Sequence, residues 1–189
     1  MSVLSPQFYG RNTATVAREL LGKVLIRRLG DTVLGGVIVE TEAYFGGDDP
    51  ASRAFNGLKE YNRVMFEEPG RLFIYNVHKY WMLNIIAHIA GVGGILIRAI
   101  EPTMGIEVMK RNRPVKQLRD LTSGPGKLTL ALDVDKSLNG IYVTKESSPV
   151  YVLDNEFKCE IDTSHRIGVT RDLSEHLRFY VKNNRFVSK

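Results

Sequence analysis

The tract Val37-Ile38-Val39-Glu40-Thr41-Glu42-Ala43-Tyr44 constrains this chain more than any other. β-Branched residues fill its first half and Gly35-Gly36 stand before it as a turn or bulge, so it reads as a strand. Side chains on a strand alternate between two faces. Val37, Val39, Thr41 and Ala43 are expected on one face, small or apolar, and that face needs a core to cover it. Ile38, Glu40, Glu42 and Tyr44 are expected on the other. Two carboxylates and an aromatic ring in a row there are either a solvated strand face, the usual fate of acidic residues, or the seed of a site.

The neighbouring sequence turns this strand into a hairpin. Lys23 to Leu29 reads as the outgoing strand, Gly30-Asp31 as the turn and Thr32 to Tyr44 as the return. Upstream, Asn12 and Thr13 can cap a helix ending near Leu21, with Val16, Ala17, Leu20 and Leu21 at helical spacing. Downstream, Phe45 to Gly57 is a loop and Leu58 to Phe66 a short helix. Strands are expected at Arg71 to Asn76, Tyr80 to Ala87 and Ile95 to Ile100, then a helix over Pro102 to Arg113. A second helix opens at Pro125 and runs to about Leu132. Short strands are expected at Ile141 to Thr144, Val150 to Leu153, Ile161 to Val169 and Leu177 to Val181. Hairpins outnumber βαβ units, so the class is α+β, with a curved, mostly antiparallel sheet and flanking helices. The 189 residues show no linker or repeat and fit a single domain over residues 1–189.

Composition narrows the partners. A net charge of +5 favours an anionic partner such as nucleic acid. One cysteine, Cys159, leaves no internal disulfide and fits a reducing compartment. No apolar run approaches the ~20 residues of a membrane helix, and Met1 to Gly10 lacks a signal-peptide layout. A cytoplasmic protein without membrane contact is expected.

Several residues stand out chemically. Either Glu40 or Glu42 could act as general base, or both could share a metal with Asp48 and Asp49. Arg98, inside Ile-Leu-Ile-Arg-Ala-Ile, needs a partner if buried, and the Glu42 strand could supply one. Phe73, Tyr75 and Tyr80 around Asn84 suit a pocket for a flat ring, whereas Trp81 reads as core. Ser123-Gly124-Pro125-Gly126-Lys127 fails as a nucleotide P-loop because Leu128 stands where Ser or Thr is required. Lys110, Arg111, Arg113, Lys116 and Arg119 are either a solvated face or a phosphate-contacting run. The four histidines show no metal-ligand spacing.

Five segments together resemble the alkyladenine (3-methyladenine) DNA glycosylases. They are Ala17-Arg18-Glu19-Leu20-Leu21-Gly22-Lys23-Val24-Leu25, Val39-Glu40-Thr41-Glu42-Ala43-Tyr44, Leu96-Ile97-Arg98-Ala99-Ile100-Glu101-Pro102, Ser123-Gly124-Pro125-Gly126-Lys127-Leu128 and Leu177-Arg178-Phe179-Tyr180-Val181. They occur in the family's order along nearly the whole chain. The resemblance implies a fold like the formyltransferase C-terminal domain, built on a curved antiparallel sheet. It implies a monomer without a cofactor or metal. The partner it implies is duplex DNA holding a damaged purine, which is flipped out and released by hydrolysis with no lyase step.

By the same resemblance Glu42 is the general base. Arg98 and the Ile167 carbonyl hold the attacking water, Tyr44 and Tyr75 sandwich the base, and Asn84 lines its pocket. Lys110, Arg111, Arg113 and Lys127 are expected on the DNA. The sequence departs from the family at Arg53, where histidine is common, and at Asn76-Val77-His78-Lys79, where the wedge that fills the vacated DNA gap would lie. Val77 or His78 is the substitute wedge, and Arg53 is expected beside the base. The competing readings are a metal-dependent nuclease and a non-catalytic binder of damaged nucleic acid.

Overall fold

The computed structural model describes residues 1–189. Its centre is one eight-stranded sheet whose pairs are all antiparallel. The strands are β1 (Val24–Leu29), β2 (Thr32–Tyr44), β3 (Leu72–Val77), β4 (Tyr80–Ile86), β5 (Gly94–Met104), β6 (Val150–Leu153), β7 (Ile161–Ser164) and β8 (Arg178–Val181). The order is β3-β4-β5-β2-β1-β6. β8 pairs with β2 over Glu40 to Glu42, beyond the part of β2 that pairs with β1, and carries β7 on its far side. The four helices are α1 (Pro6–Tyr9), α2 (Thr13–Glu19), α3 (Ile106–Asn112) and α4 (Pro125–Ala131). Asn12 caps α2 by accepting from the N–H groups of Ala14 and Thr15.

The long strand β2 pairs with β1, β5 and β8, and its glycines explain how. A Cβ on Gly36 would lie 2.1 Å from the Glu101 carbonyl oxygen, a contact no side chain tolerates. Gly36 therefore lets β2 and β5 close on each other at a register shift, which is the bulge expected there. Two further shifts follow. Val39 on β2 and Arg98 on β5 have no partner in the ladder. The extra residue reverses the side-chain parity of β2, so Ile38 and Val39 both enter the main core. Ile38 was expected on the Glu40 face. A bulge that turns the strand over one residue later overrides strict alternation.

Past the bulges the two faces separate cleanly. Thr41, Ala43, Ile95, Ile97, Leu83, Ile85, Leu72 and Ile74 are buried on one face, and α2 lies against it, where the Thr41 hydroxyl donates to the Ala17 carbonyl at 2.8 Å. Registers Glu42↔Leu96, Leu96↔Asn84, Asn84↔Phe73 and Met82↔Tyr75 put Glu42, Leu96, Arg98, Asn84, Met82, Phe73 and Tyr75 on the other face. Part of that face is roofed by Ala54, Val64 and Met65 from the segment between β2 and β3.

Other expectations need correction. β5 continues through Pro102 to Met104, so the helix expected from Pro102 begins only at Ile106. Pro102 fits because it pairs with Gly36 at a register shift. The helix expected from Leu58 is a 3-10 helix, Glu60–Phe66. Ile141 to Thr144 forms only one bridge, between Tyr142 and Arg71, and β7 stops at Ser164. Beyond it, Arg166 needs the chain in a loop to reach its partners. Trp81 packs against the core as expected.

Candidate active site

Two buried carboxylates from β2 lie side by side, and hydrogen bonding separates them. Both are fully inaccessible to solvent. An ionised carboxylate has about four acceptor positions. Glu40 fills four. Its Oε1 accepts from Arg98 Nε at 2.8 Å, Arg178 Nε at 2.7 Å and the Ser188 hydroxyl at 2.8 Å, and its Oε2 accepts from the Ser188 N–H at 2.7 Å. Glu42 fills three. Its Oε2 accepts from the Tyr44 hydroxyl at 2.7 Å and Arg98 Nη1 at 3.2 Å, and its Oε1 from the Ile167 N–H at 2.8 Å. One acceptor position on Glu42 Oε1 is left for a further donor. The residue types left the choice between the two open and the family resemblance named Glu42; Glu40 carries the heavier hydrogen-bond load, and Glu42 has a position left on Oε1.

Burial pushes the Glu42 carboxyl above the ordinary glutamate range, and Glu40 adds to the rise. The Arg98 charge, the Ile167 N–H and the Tyr44 hydroxyl oppose it. A raised pKa makes a stronger base, while the three donors favour the ionised form that a base requires. Arg98 finds its partners on the Glu42 strand, as the cost of burying a lone guanidinium demands.

Tyr44, Arg98 and Ile167, the three groups bonded to Glu42, line a cavity of about 520 Å³. Tyr75, Arg53, Met82 and Leu96 line it too, with Phe55, Tyr61 and Val77. Each tyrosine carries an arginine. Arg166 Cζ is 4.5 Å from the Tyr44 ring centroid and Arg53 Cζ is 4.8 Å from that of Tyr75. Phe73 stacks on Tyr75 with centroids 5.0 Å apart. Asn84 does not line this cavity, contrary to expectation. It is buried behind it, where Nδ2 donates to the Phe73 carbonyl at 3.0 Å and the Met82 carbonyl at 3.2 Å. His78 is exposed at the β3–β4 turn with φ of 53°, one residue from Val77.

The loop that presents Ile167 is locked by an ion pair absent from the sequence reading. The side chains of Arg166 and Asp49 are wholly buried, and two parallel bonds of 2.7 Å join them. Arg166 also donates to Asp172 at 2.8 Å and to the Ala43 carbonyl at 2.9 Å. Asp49 in turn accepts from the N–H groups of Phe45 and Ala51. The loops on either side of the cavity are thus tied to each other and to the end of β2. This also dissolves the metal set considered from sequence: Asp49 is spent on Arg166, Glu40 on two arginines, and Asp48 is exposed.

A second cavity of about 520 Å³ adjoins the first, sharing Met82, Arg98 and Pro125. Arg113, Arg119, Lys127, Arg185 and Lys189 make it basic. Arg113 and Lys127 were expected in such a surface. Lys110 and Arg111 were too, but they lie outside it, and Lys110 pairs with Glu107 at 2.9 Å. Arg119, Arg185 and Lys189 take their place. The last two lie too far along the chain for a local charge run to reveal.

The family model described as methylpurine-DNA glycosylase matches residues 7–185. A Mesorhizobium japonicum protein, provisionally named 3-methyladenine DNA glycosylase, is 45% identical over 179 residues, covering 94% of this chain and 86% of its own. A Clostridium perfringens protein bearing the same provisional name is 44% identical, with 98% of each chain covered. An Aeropyrum pernix protein, also so named, is 39% identical over 99% of this chain and 93% of its own.

Proposed function

The chain belongs to the methylpurine-DNA glycosylase family, and on that premise we propose that it flips a damaged purine out of duplex DNA and hydrolyses its N-glycosidic bond. The observation that carries this reading is the unequal hydrogen-bond load of Glu40 and Glu42 beneath the tyrosine-lined cavity. A base inside a duplex hides its glycosidic bond, and extruding it costs a few kcal/mol. Stacking on Tyr44 and Tyr75 offsets this at ~1–3 kcal/mol per base–aromatic stack. Val77, which lines the cavity, or His78 beside it on the β3–β4 turn fills the gap the base leaves.

As the C1′–N9 bond breaks, its electron pair leaves with the purine and the sugar gains oxocarbenium character. Glu42 stabilises that charge. A water at the fourth Glu42 acceptor position, also held by Arg98 and the Ile167 carbonyl, bonds to C1′ through oxygen and gives its proton to Glu42. The products are an abasic sugar and the base, which departs neutral if it was a cationic methylpurine and takes a proton from water if it was a neutral purine; Glu42 returns its proton to solvent. No amine enters the step, so no strand cleavage accompanies it. The test is to incubate the protein with duplexes holding one methylated purine, hypoxanthine or ethenoadenine, then cleave abasic sites with alkali. Breaks that appear only after alkali bear the proposal out; unbroken strands with all three lesions refute it.

The basic cavity is where the backbone of the flipped nucleotide runs. Reversing Arg113 and Lys127 to glutamate should remove about two phosphate contacts and lower the slope of log affinity against log salt by about 2. A slope equal to wild type returns these side chains to a solvated face.

Arg53 bears on lesion choice. A permanent cation at the Tyr75 ring competes with the cation–π attraction that would otherwise favour positively charged methylpurines. Neutral lesions with an exocyclic oxygen meet a donor instead. Wild type should therefore release hypoxanthine faster, relative to 7-methylguanine, than Arg53→His does, by about 3- to 30-fold. An unchanged ratio of the two rates means Arg53 contributes only a backbone contact.

A further inference from the structure

Ser188 lies outside the sheet, behind buried Phe186, yet it bonds to both elements of the acidic pair's support. Its N–H and its hydroxyl supply two of the four bonds on Glu40. The single hydroxyl proton goes to Glu40, so the oxygen lone pair is free to accept from Arg98 Nη2 at 3.1 Å. The Ser188 carbonyl accepts from Arg178 Nη2 at 3.1 Å. Arg98 is thereby held on three sides, by Glu40 at Nε, Glu42 at Nη1 and Ser188 at Nη2.

This matters because Glu40 and Glu42 share Arg98. The shorter bond goes to Glu40 and the longer to Glu42. Each donor that Ser188 gives Glu40 lessens the demand of Glu40 on Arg98 and its repulsion of Glu42. We propose that Ser188 is a positioning residue for base release: by satisfying Glu40 and bracing Arg98, it keeps Arg98 Nη1 on Glu42 and keeps Glu42 ionised. This rests on the glycosylase reading above and extends it to a residue that never meets the substrate.

The groups around Glu42 set the sign. On its own strand are Glu40 and Tyr44, on β5 Arg98, on β8 Arg178 and on β3 Tyr75; the 166–167 loop brings the Ile167 N–H and, behind Tyr44, Arg166. Loss of the Ser188 hydroxyl strengthens only the Glu40 repulsion and weakens only the Arg98 attraction. Both changes favour protonated Glu42. The acid limb of base release must then move to higher pH.

The experiment measures single-turnover release of hypoxanthine across about pH 5 to 9 for wild type, Ser188→Ala and Ser188→Thr. The alanine variant should shift the acid limb upward by about half a pH unit or more, a rate loss of about threefold on that limb. Threonine, which keeps the hydroxyl, should restore it. A lowered melting temperature with an unmoved limb would make Ser188 a fold residue and overturn the proposal, as would no change at all. Carbon NMR of isotope-labelled glutamate, assigned against Glu42→Gln, reads the Glu42 titration without any turnover. A raised Glu42 titration in Ser188→Ala from a wild type that releases no base would support the positioning role and refute the glycosylase reading. An active wild type with an unmoved titration in the variant would do the reverse.

Discussion

Replacing Glu42 by glutamine should leave the fold and damaged-DNA binding in place and lower single-turnover base release by about 10²–10⁴-fold, the usual contribution of a positioned general base. The amide has nearly the shape of the carboxylate. It cannot take the proton of the attacking water, and it carries no charge to set against the developing sugar cation. Arg98 keeps Glu40 as a counter-ion, so the substitution strands no buried cation. The fold should hold as well. Burial raises the folded-state pKa of Glu42 above its unfolded value, so its contribution to stability is fully present below the unfolded pKa and is lost as pH rises through the folded one. An uncharged side chain escapes that loss, but its NH2 must face either the Ile167 N–H or the Tyr44 and Arg98 donors, so the variant should stay folded at neutral pH with a net loss of at most about 1–3 kcal/mol. The raised pKa also means that wild-type base release should fall, as pH drops, at a pH above the ordinary glutamate range. A loss below about tenfold, ~1.4 kcal/mol of barrier, would show that Glu42 is not the base.

Glu42 and Arg98 were legible because each violates its surroundings. A carboxylate on an otherwise buried strand and a guanidinium inside an apolar run both require partners, and the strand pattern suggested each to the other. Strand β2 was legible from end to end because Gly30-Asp31 and Phe45-Gly46-Gly47 bracket it. The bulges at Val39 and Arg98 were not, because a period of two carries no sign of where it slips. The slip decides the site: it sends Ile38 to the core while Glu40 and Glu42 keep the opposite face. The Asp49–Arg166 pair and the role of Ser188 were missed for another reason. Their bonds join residues 117 and 148 positions apart, and Asp49, Arg166 and Ser188 all sit in loops, where no periodicity exists to read. The rule that flagged Arg98 gave no purchase on Arg166, whose neighbours His165 and Ile167 do not form an apolar run.

That hidden ion pair should be costly to break. Asp49→Ala removes a fully buried carboxylate that receives two bonds from Arg166 and one each from the Phe45 and Ala51 N–H groups. Removing one partner of a buried pair costs about 3–5 kcal/mol, because the surviving charge is left without compensation in a poor solvent for it. Arg166 retains Asp172, whose side chain is partly exposed, so the expected loss is about 3 kcal/mol, at the low end of that range. Urea unfolding checks this through the midpoint. The catalytic consequence follows from the same geometry: with Arg166 released, the loop that aims the Ile167 N–H at Glu42 Oε1 loses its anchor, and Tyr44 loses the cation behind its ring. Base release should therefore fall along with stability, at temperatures where the variant is still folded. A double variant, Asp49→Leu with Arg166→Met, separates the causes. If the penalty is the stranded charge, the apolar pair should be more stable than Asp49→Ala alone, yet remain slow in base release because the loop is still unanchored. A double variant no more stable than the single one would place the cost in the lost Phe45 and Ala51 bonds, and the Arg166 clamp would be secondary to the turn that Asp49 caps.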